Sequence, residues 1–248
     1  MHTAIRHTAT MHTVTRHTAT PTTVTVHPLT ICCLLALLTA IAGCGTPHHC
    51  CMPCAANEGS IKGVNYFLVR GIDINAKACN DWTPFYAAVE GDADLDMLEF
   101  LVDRGADVNA KDVIDWTPLH TAAVRASSNT AIVQFLIDKG ADVNAKNSLG
   151  RTPFHEAVFG NPNIDVLKLL IDNGADINTK DRSGKTPLHD AATFNPNNIE
   201  VVKFLIAQGA DIDAEDEDGR TPARVANIRP EVWKELIEQS TEVDPTIE

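Results

Sequence analysis

Beyond residue 60, apolar residues recur along the chain in short bursts of one design. Met97, Leu98, Leu101 and Val102 stand at i, i+1, i+4 and i+5, and the spacing returns at Ile132, Val133, Leu136 and Ile137 and again at Val166, Leu167, Leu170 and Ile171. Adjacent positions repeated one helical turn later form a stripe on one side of an α-helix, so each burst predicts a helix with one buried face. A glycine follows each burst, at Gly105, Gly140 and Gly174, with equivalents at Gly71 and Gly209. It stands where a stopping helix needs a left-handed residue. Twelve residues after each glycine comes a Thr-Pro pair, at Thr83, Thr117, Thr152, Thr186 and Thr221. Threonine caps a helix start and proline has no amide hydrogen to lose in the first turn, so each pair opens a further helix. Successive threonines are 34, 35, 34 and 35 residues apart. Such a period predicts a stack of helix pairs and hairpins, an all-α repeat solenoid of about six units, rather than one globular core.

This frame divides the chain into a leader and signal peptide at 1–43, a short tether at 44–49, a repeat domain at 50–240 and a tail at 241–248 that should fray. The units fall at about 50–82, 83–116, 117–151, 152–185, 186–220 and 221–240, the first and last being degenerate caps. In the first, Ala55-Ala56 occupy the small-residue positions of an inner helix and Gly59 its turn. In the last, Val232, Trp233, Leu236 and Ile237 form an apolar stripe in a charged segment, as a terminal repeat with a polar outer face requires.

Composition narrows the picture. Apolar residues make up 44% and aromatics 5%, so the core must be built from Ala, Leu, Val and Ile. All 33 acids and all but two of the 20 basic residues lie beyond residue 57, and the net charge is −13. Such a balance argues against nucleic acid as the partner, because phosphate binding needs a clustered positive surface. Six of the seven cysteines (Cys32, Cys33, Cys44, Cys50, Cys51 and Cys54) crowd near the N-terminus, a distribution that points to processing or ligand chemistry rather than a disulfide framework.

Residues 1–30 open with a near-tandem decamer starting at Met1 and Met11, low in complexity and not expected to fold; either methionine is a possible start. The apolar run from Ile31 is too short to span a bilayer but the right size for a signal-peptide core. Ile41-Ala42-Gly43-Cys44 resembles the bacterial lipobox, which implies lipidation at Cys44, a membrane-anchored lipoprotein and a periplasmic or surface location. A competing cut after Ala42 would give plain secretion, and an unprocessed leader a cytosolic protein. His48, His49, Cys50, Cys51 and Cys54 offer C-x-x-C spacing and soft-metal ligands, so an exported redox or metal-handling protein is the rival function.

The repeats themselves resemble the ankyrin repeat. Thr117-Pro-Leu-His120-Thr-Ala-Ala123 with Gly140-Ala-Asp-Val-Asn144, and Thr186-Pro-Leu-His189-Asp-Ala-Ala192 with Gly209-Ala-Asp211, carry the likeness most closely. The resemblance implies that His120, His155 and His189 bind one repeat to the next, with Tyr86 and Arg224 replacing them at the two ends. It also implies a protein partner contacted through hairpin tips and the concave inner-helix face. Asp81 and Asp115 stand where later hairpins have Gly150, Gly184 and Gly219. Asp92-Ala-Asp94-Leu-Asp96 opens like a calcium loop, but Met97 and Asp103 stand where such a loop needs Gly and Glu. The run Asp211, Asp213, Glu215, Asp216, Glu217 and Asp218 is read as a solvated tip.

No nucleophile with base and orienter, no phosphate loop and no cofactor site emerges, so the chain is read as a non-enzymatic, monomeric binding module without a cofactor. Candidate partner contacts are Trp82, Glu90, Trp116, Arg125, Glu156, Phe159, Asp190 and Phe194, with Ala87 and Thr121 beside them.

Overall fold

A computed structural model describes residues 51–125, 130–160, 163–194, 199–226 and 230–241. Among them are twelve α-helices: α1 (Cys51–Asn57), α2 (Ile61–Leu68), α3 (Pro84–Glu90), α4 (Leu95–Val102), α5 (Pro118–Arg125), α6 (Ala131–Asp138), α7 (Pro153–Gly160), α8 (Ile164–Asp172), α9 (Pro187–Phe194), α10 (Ile199–Ala207), α11 (Pro222–Val225) and α12 (Pro230–Thr241). The odd-numbered helices form an inner row, each packed on the next, and every inner helix as far as α9 also packs on the outer helix that follows it. At the end of the stack α12 packs on α10. The layers and their order follow the sequence period.

Thr83 and Asp94 start their helices for the expected reason, whereas Thr130 and Thr221 make no side-chain capping bond. The Thr83 hydroxyl accepts the Tyr86 amide at 3.2 Å and Pro84 fills the first turn of α3. Asp94 caps α4 by accepting the Met97 amide at 2.9 Å, and so belongs to a helix start rather than a calcium loop. Met97, Leu98, Leu101, Leu136, Leu167, Leu170 and Leu205 are fully buried between layers, and Phe85 and Phe154 anchor the inner row. Ala56 and Met52 of α1 are buried too, which makes the first unit a true layer. In α12, Trp233 and Leu236 face α10 while Val232 is exposed, so the terminal stripe is narrower than its sequence suggests.

Between layers the chain makes a hairpin, and among the described residues none of these forms a strand. In the hairpin before Thr83 a 3-10 turn at Cys79–Asp81 takes up the backbone, and in the other four the reason lies in one side chain each. Asp112 Oδ1 accepts the amides of Ile114 and Trp116, and Asn147, Asp181 and Asp216 accept the equivalent pairs in the next three hairpins, all at 2.8–3.0 Å. Those amides are turned inward, which leaves one to reach the neighbouring hairpin. Val113 N–H donates to Asn80, Ser148 to Ile114, Arg182 to Leu149 and Glu217 to Ser183. The residue at the back of each turn is left-handed, with φ of +59° at Asp81, +60° at Asp115 and +74° at Gly184.

Gly184 also has no room for a side chain, since a Cβ there would lie 2.7 Å from the Glu217 nitrogen; at Gly209, which ends α10 with φ +88°, it would meet open space. Gly209→Ala is therefore expected to cost about 1 kcal/mol, and Gly184→Ala about 2 kcal/mol or more. Urea unfolding of the two variants side by side checks the order.

Candidate protein-binding surface

Three polar ladders bind layer to layer and fix which side chains remain for a partner. In the first, the amide and hydroxyl of Thr117 both contact Nδ1 of His120, at 3.2 and 2.8 Å. Nδ1 must therefore be the acceptor, so Nε2 carries the proton and donates to the Arg151 carbonyl at 3.1 Å. His155 and His189 repeat this toward the carbonyls of Lys185 and Arg220. Burial lowers the pKa of both His120 and His155 to about 4, and that of His189 falls as well. Tyr86 keeps the connection in its own layer, donating to Asp112 at 3.4 Å and accepting from Thr121 at 3.1 Å. Arg224 is exposed and makes no such link among the described residues.

In the second ladder, one asparagine per layer holds the next layer with both ends of its amide. Asn109 donates to the Gly140 carbonyl at 3.0 Å and accepts the Asp142 amide at 2.8 Å; Asn75, Asn144 and Asn178 do the same one layer away. The third runs along the hairpins, where Lys77, Lys146 and Lys180 each donate to a carbonyl of the following hairpin.

The inner-helix face holds two charge clusters. Arg125 spans a layer boundary, with Nη1 on Glu90 Oε1 and Nη2 on Asp92 Oδ2, each at 3.0 Å. Arg151 lies deeper. Its Nε meets Glu156 Oε1 at 2.8 Å and its Nη2 lies 2.9 Å from Asp190 Oδ2, an ion pair without an aligned hydrogen bond. Glu156 and Asp190 keep 7% and 1% of their side-chain surface. Burial raises the Asp190 pKa to about 6 even though Arg151 pulls it down.

The expected contact residues divide accordingly. Phe159 is 46% exposed, Arg125 is exposed and Glu90 half-buried. Glu156, Asp190, Thr121 and Ala87 are buried, so their side chains hold the stack rather than meet solvent. Trp82 is buried against Tyr86, with ring centroids 5.2 Å apart, and Trp116 is half-buried at 5.7 Å from the His120 ring. The side chains of Phe194 and Cys51 lie outside the described residues, as do Cys44, His48, His49 and Cys50. Cys54 is half-buried beside Trp82 and Tyr86, a packing place at the edge of the inner row.

The family model for ankyrin repeats in three copies matches residues 48–147, 124–216 and 154–247. The chain belongs to the ankyrin-repeat family. Among curated proteins none matches it. Ankyrin repeats are in general protein–protein interaction modules, typically non-enzymatic scaffolds. In this ankyrin array no helix among the described residues is long and apolar enough to cross a membrane.

The ankyrin period alone did not reveal three features. The hairpin braces stand five residues before four of the five Thr-Pro pairs, at Asp112, Asn147, Asp181 and Asp216, and were legible as a polar residue at constant distance; before Thr83 the place is held by Ala78. Asp216 is accordingly not part of a solvated tip: it is buried, and hydrogen bonds from the Arg220 amide and guanidinium outweigh that burial and lower its pKa. Arg151 sits one residue before Thr152 and gave no signal, because its partners come from two different layers. Val113, Ile114 and Leu149 are exposed at the hairpin tips.

Proposed function

We propose that this ankyrin array is an exported, lipid-anchored and monomeric scaffold that captures a protein partner through its hairpin tips and concave inner-helix face. The observation that carries the reading is how the polar groups are used. Histidines and asparagines are spent on bonds between layers and hairpin acids on bracing their own turns, while Phe159 stays exposed on the inner-helix row. A bulky apolar side chain about half exposed on a rigid face, with the Arg151 guanidinium carbon 5.2 Å from its ring centroid, is what an interface core needs. The Ile41-Ala42-Gly43-Cys44 pattern supports anchoring, with Cys44 as the acylated residue.

Phe159→Ala is expected to lower partner capture in the native host by about tenfold while leaving the urea midpoint unchanged, as a hot-spot residue outside the core would. Unchanged capture, or a collapse of stability, counts against this face. Mass spectrometry of the mature protein is expected to find an acylated N-terminus at Cys44, and an intact leader would exclude export.

A further inference from the structure

Neighbouring hairpin tips form a ridge whose character changes along the stack. Val113, Ile114 and Leu149 are 62%, 47% and 60% exposed, and none packs against the core. The backbone bonds from Ser148 to Ile114 and from Arg182 to Leu149, each 2.9 Å, place these tips side by side. Three aliphatic side chains held together in solvent by a rigid backbone form a patch rather than scattered surface residues.

The charge around that patch is more positive than that of the protein as a whole, through two of its three hairpins, since 110–116 sets Lys111 against Asp112 and Asp115. The net charge is −13, yet hairpin 145–151 holds Lys146 and Arg151 with no acid, and hairpin 179–185 holds Lys180, Arg182 and Lys185 against Asp181 alone. The next hairpin, 214–220, sets Glu215, Asp216, Glu217 and Asp218 against Arg220. Lys146, Lys180 and Arg182 line an open depression of about 420 Å³ together with Asp115, Asn147, Gly150 and Asp181. None of the three cations is paired with a carboxylate among the described residues: Lys146 and Lys180 donate to backbone carbonyls. Of the two acids in the depression, Asp115 lies 3.8 Å from Lys111, and Asp181 Oδ1 accepts two backbone amides.

Building on the reading of the array as a protein-binding scaffold, we propose that the tips of hairpins 110–116, 145–151 and 179–185 form a docking site for an acidic protein segment carrying bulky apolar side chains. Lys146, Lys180 and Arg182 meet its carboxylates, and Val113, Ile114 and Leu149 its apolar side chains. With layers roughly 10 Å apart, an extended segment of about six residues crosses all three tips. An anionic membrane fits less well, because a flat surface would bring the acids of hairpin 214–220 against its headgroups.

The test uses the folded chain and a short fluorescent peptide with glutamate and aspartate around two leucines. Two control peptides carry either amides in place of every acid or serines in place of both leucines. Binding of the acidic leucine peptide is expected to exceed both controls by at least tenfold and to weaken with added salt. Arg182→Glu and Leu149→Ser are each expected to reduce it several-fold with thermal midpoints unchanged, and Lys146→Glu with Arg182→Glu tenfold or more, with a midpoint lowered only by the lost Lys146 bond to the Lys180 carbonyl. Phe159→Ala should leave this binding intact, so loss at Phe159 instead of Arg182 would overturn the tip site while keeping a concave-face scaffold. Equal binding of the amide peptide would overturn it as well. So would self-association of the chain through its own acidic hairpin, or anionic vesicles bound by the same residues when the peptide is not.

Discussion

Arg151→Met is expected to destabilise the protein by about 3–5 kcal/mol at pH 8, because it leaves two buried carboxylates without their shared cation. Arg151 contacts Glu156 at 2.8 Å and Asp190 at 2.9 Å, and also donates to the His155 carbonyl at 3.3 Å. Glu156 keeps a second donor in the Asn147 side chain at 3.2 Å, whereas no aligned hydrogen bond reaches Asp190 Oδ2. Asp190 is thus the group left most exposed to the loss. Its pKa already stands near 6 with the arginine present, so without it the carboxyl is neutral over more of the pH range. That gives the loss a pH dependence: urea unfolding should show a smaller deficit at pH 5.5 than at pH 8. Arg151→Met combined with Glu156→Gln and Asp190→Asn should recover much of the stability, since the charges that needed the arginine are gone. A deficit below about 1 kcal/mol in the single variant at pH 8 would mean that water reaches these carboxylates freely.

Acidification from pH 7 to pH 4 should cost several kcal/mol more, through the histidine ladder. Folding lowers the pKa of His120 and His155 from 6.5 to about 4. Between those values the unfolded chain binds protons that the native state refuses, so stability falls as pH falls through 6.5 and the loss is complete below about 4. Each such histidine is worth about 3 kcal/mol at most. His189, lowered as well, acts in the same direction. Asp190 opposes them. Its folded pKa is raised from 3.8 to about 6, so its contribution to stability grows as pH falls through that window. One aspartate against three histidines leaves the histidines dominant. Acid also relieves self-repulsion of the −13 charge, so the series belongs in about 0.15 M salt or above, where that term is screened. His120→Gln should flatten the pH profile of the unfolding free energy; an unchanged slope would remove the ladder as its cause.

The array was legible in the sequence because its markers report backbone geometry, which local residues decide. Gly105 and its equivalents end outer helices with φ between +80° and +88°, and Thr83 caps where a capping residue was expected. Even the substitution of Asp81 and Asp115 for glycine left the turn in place, since both adopt the left-handed conformation. The surface was less legible because exposure depends on how one layer meets the next. Glu156 and Asp190 occupy inner-helix positions that a single repeat would leave open, and the Arg151 guanidinium, from the hairpin ahead of both helices, draws both inward. Conversely, Leu149 has the composition of a core residue and stands where no second layer covers it. Nothing local distinguishes these cases.

The hairpins and the helices join their layers unequally, and this gives the stack a mechanical grain. At its tip each hairpin grips the next through one backbone bond, while the helix rows are joined over a continuous apolar surface. Prising the tips apart breaks few contacts, whereas prising the helices apart exposes leucine to water. The molecule therefore behaves as a leaf spring clamped along its helical edge, and a ligand lying across several tips would act as a strap that sets its curvature.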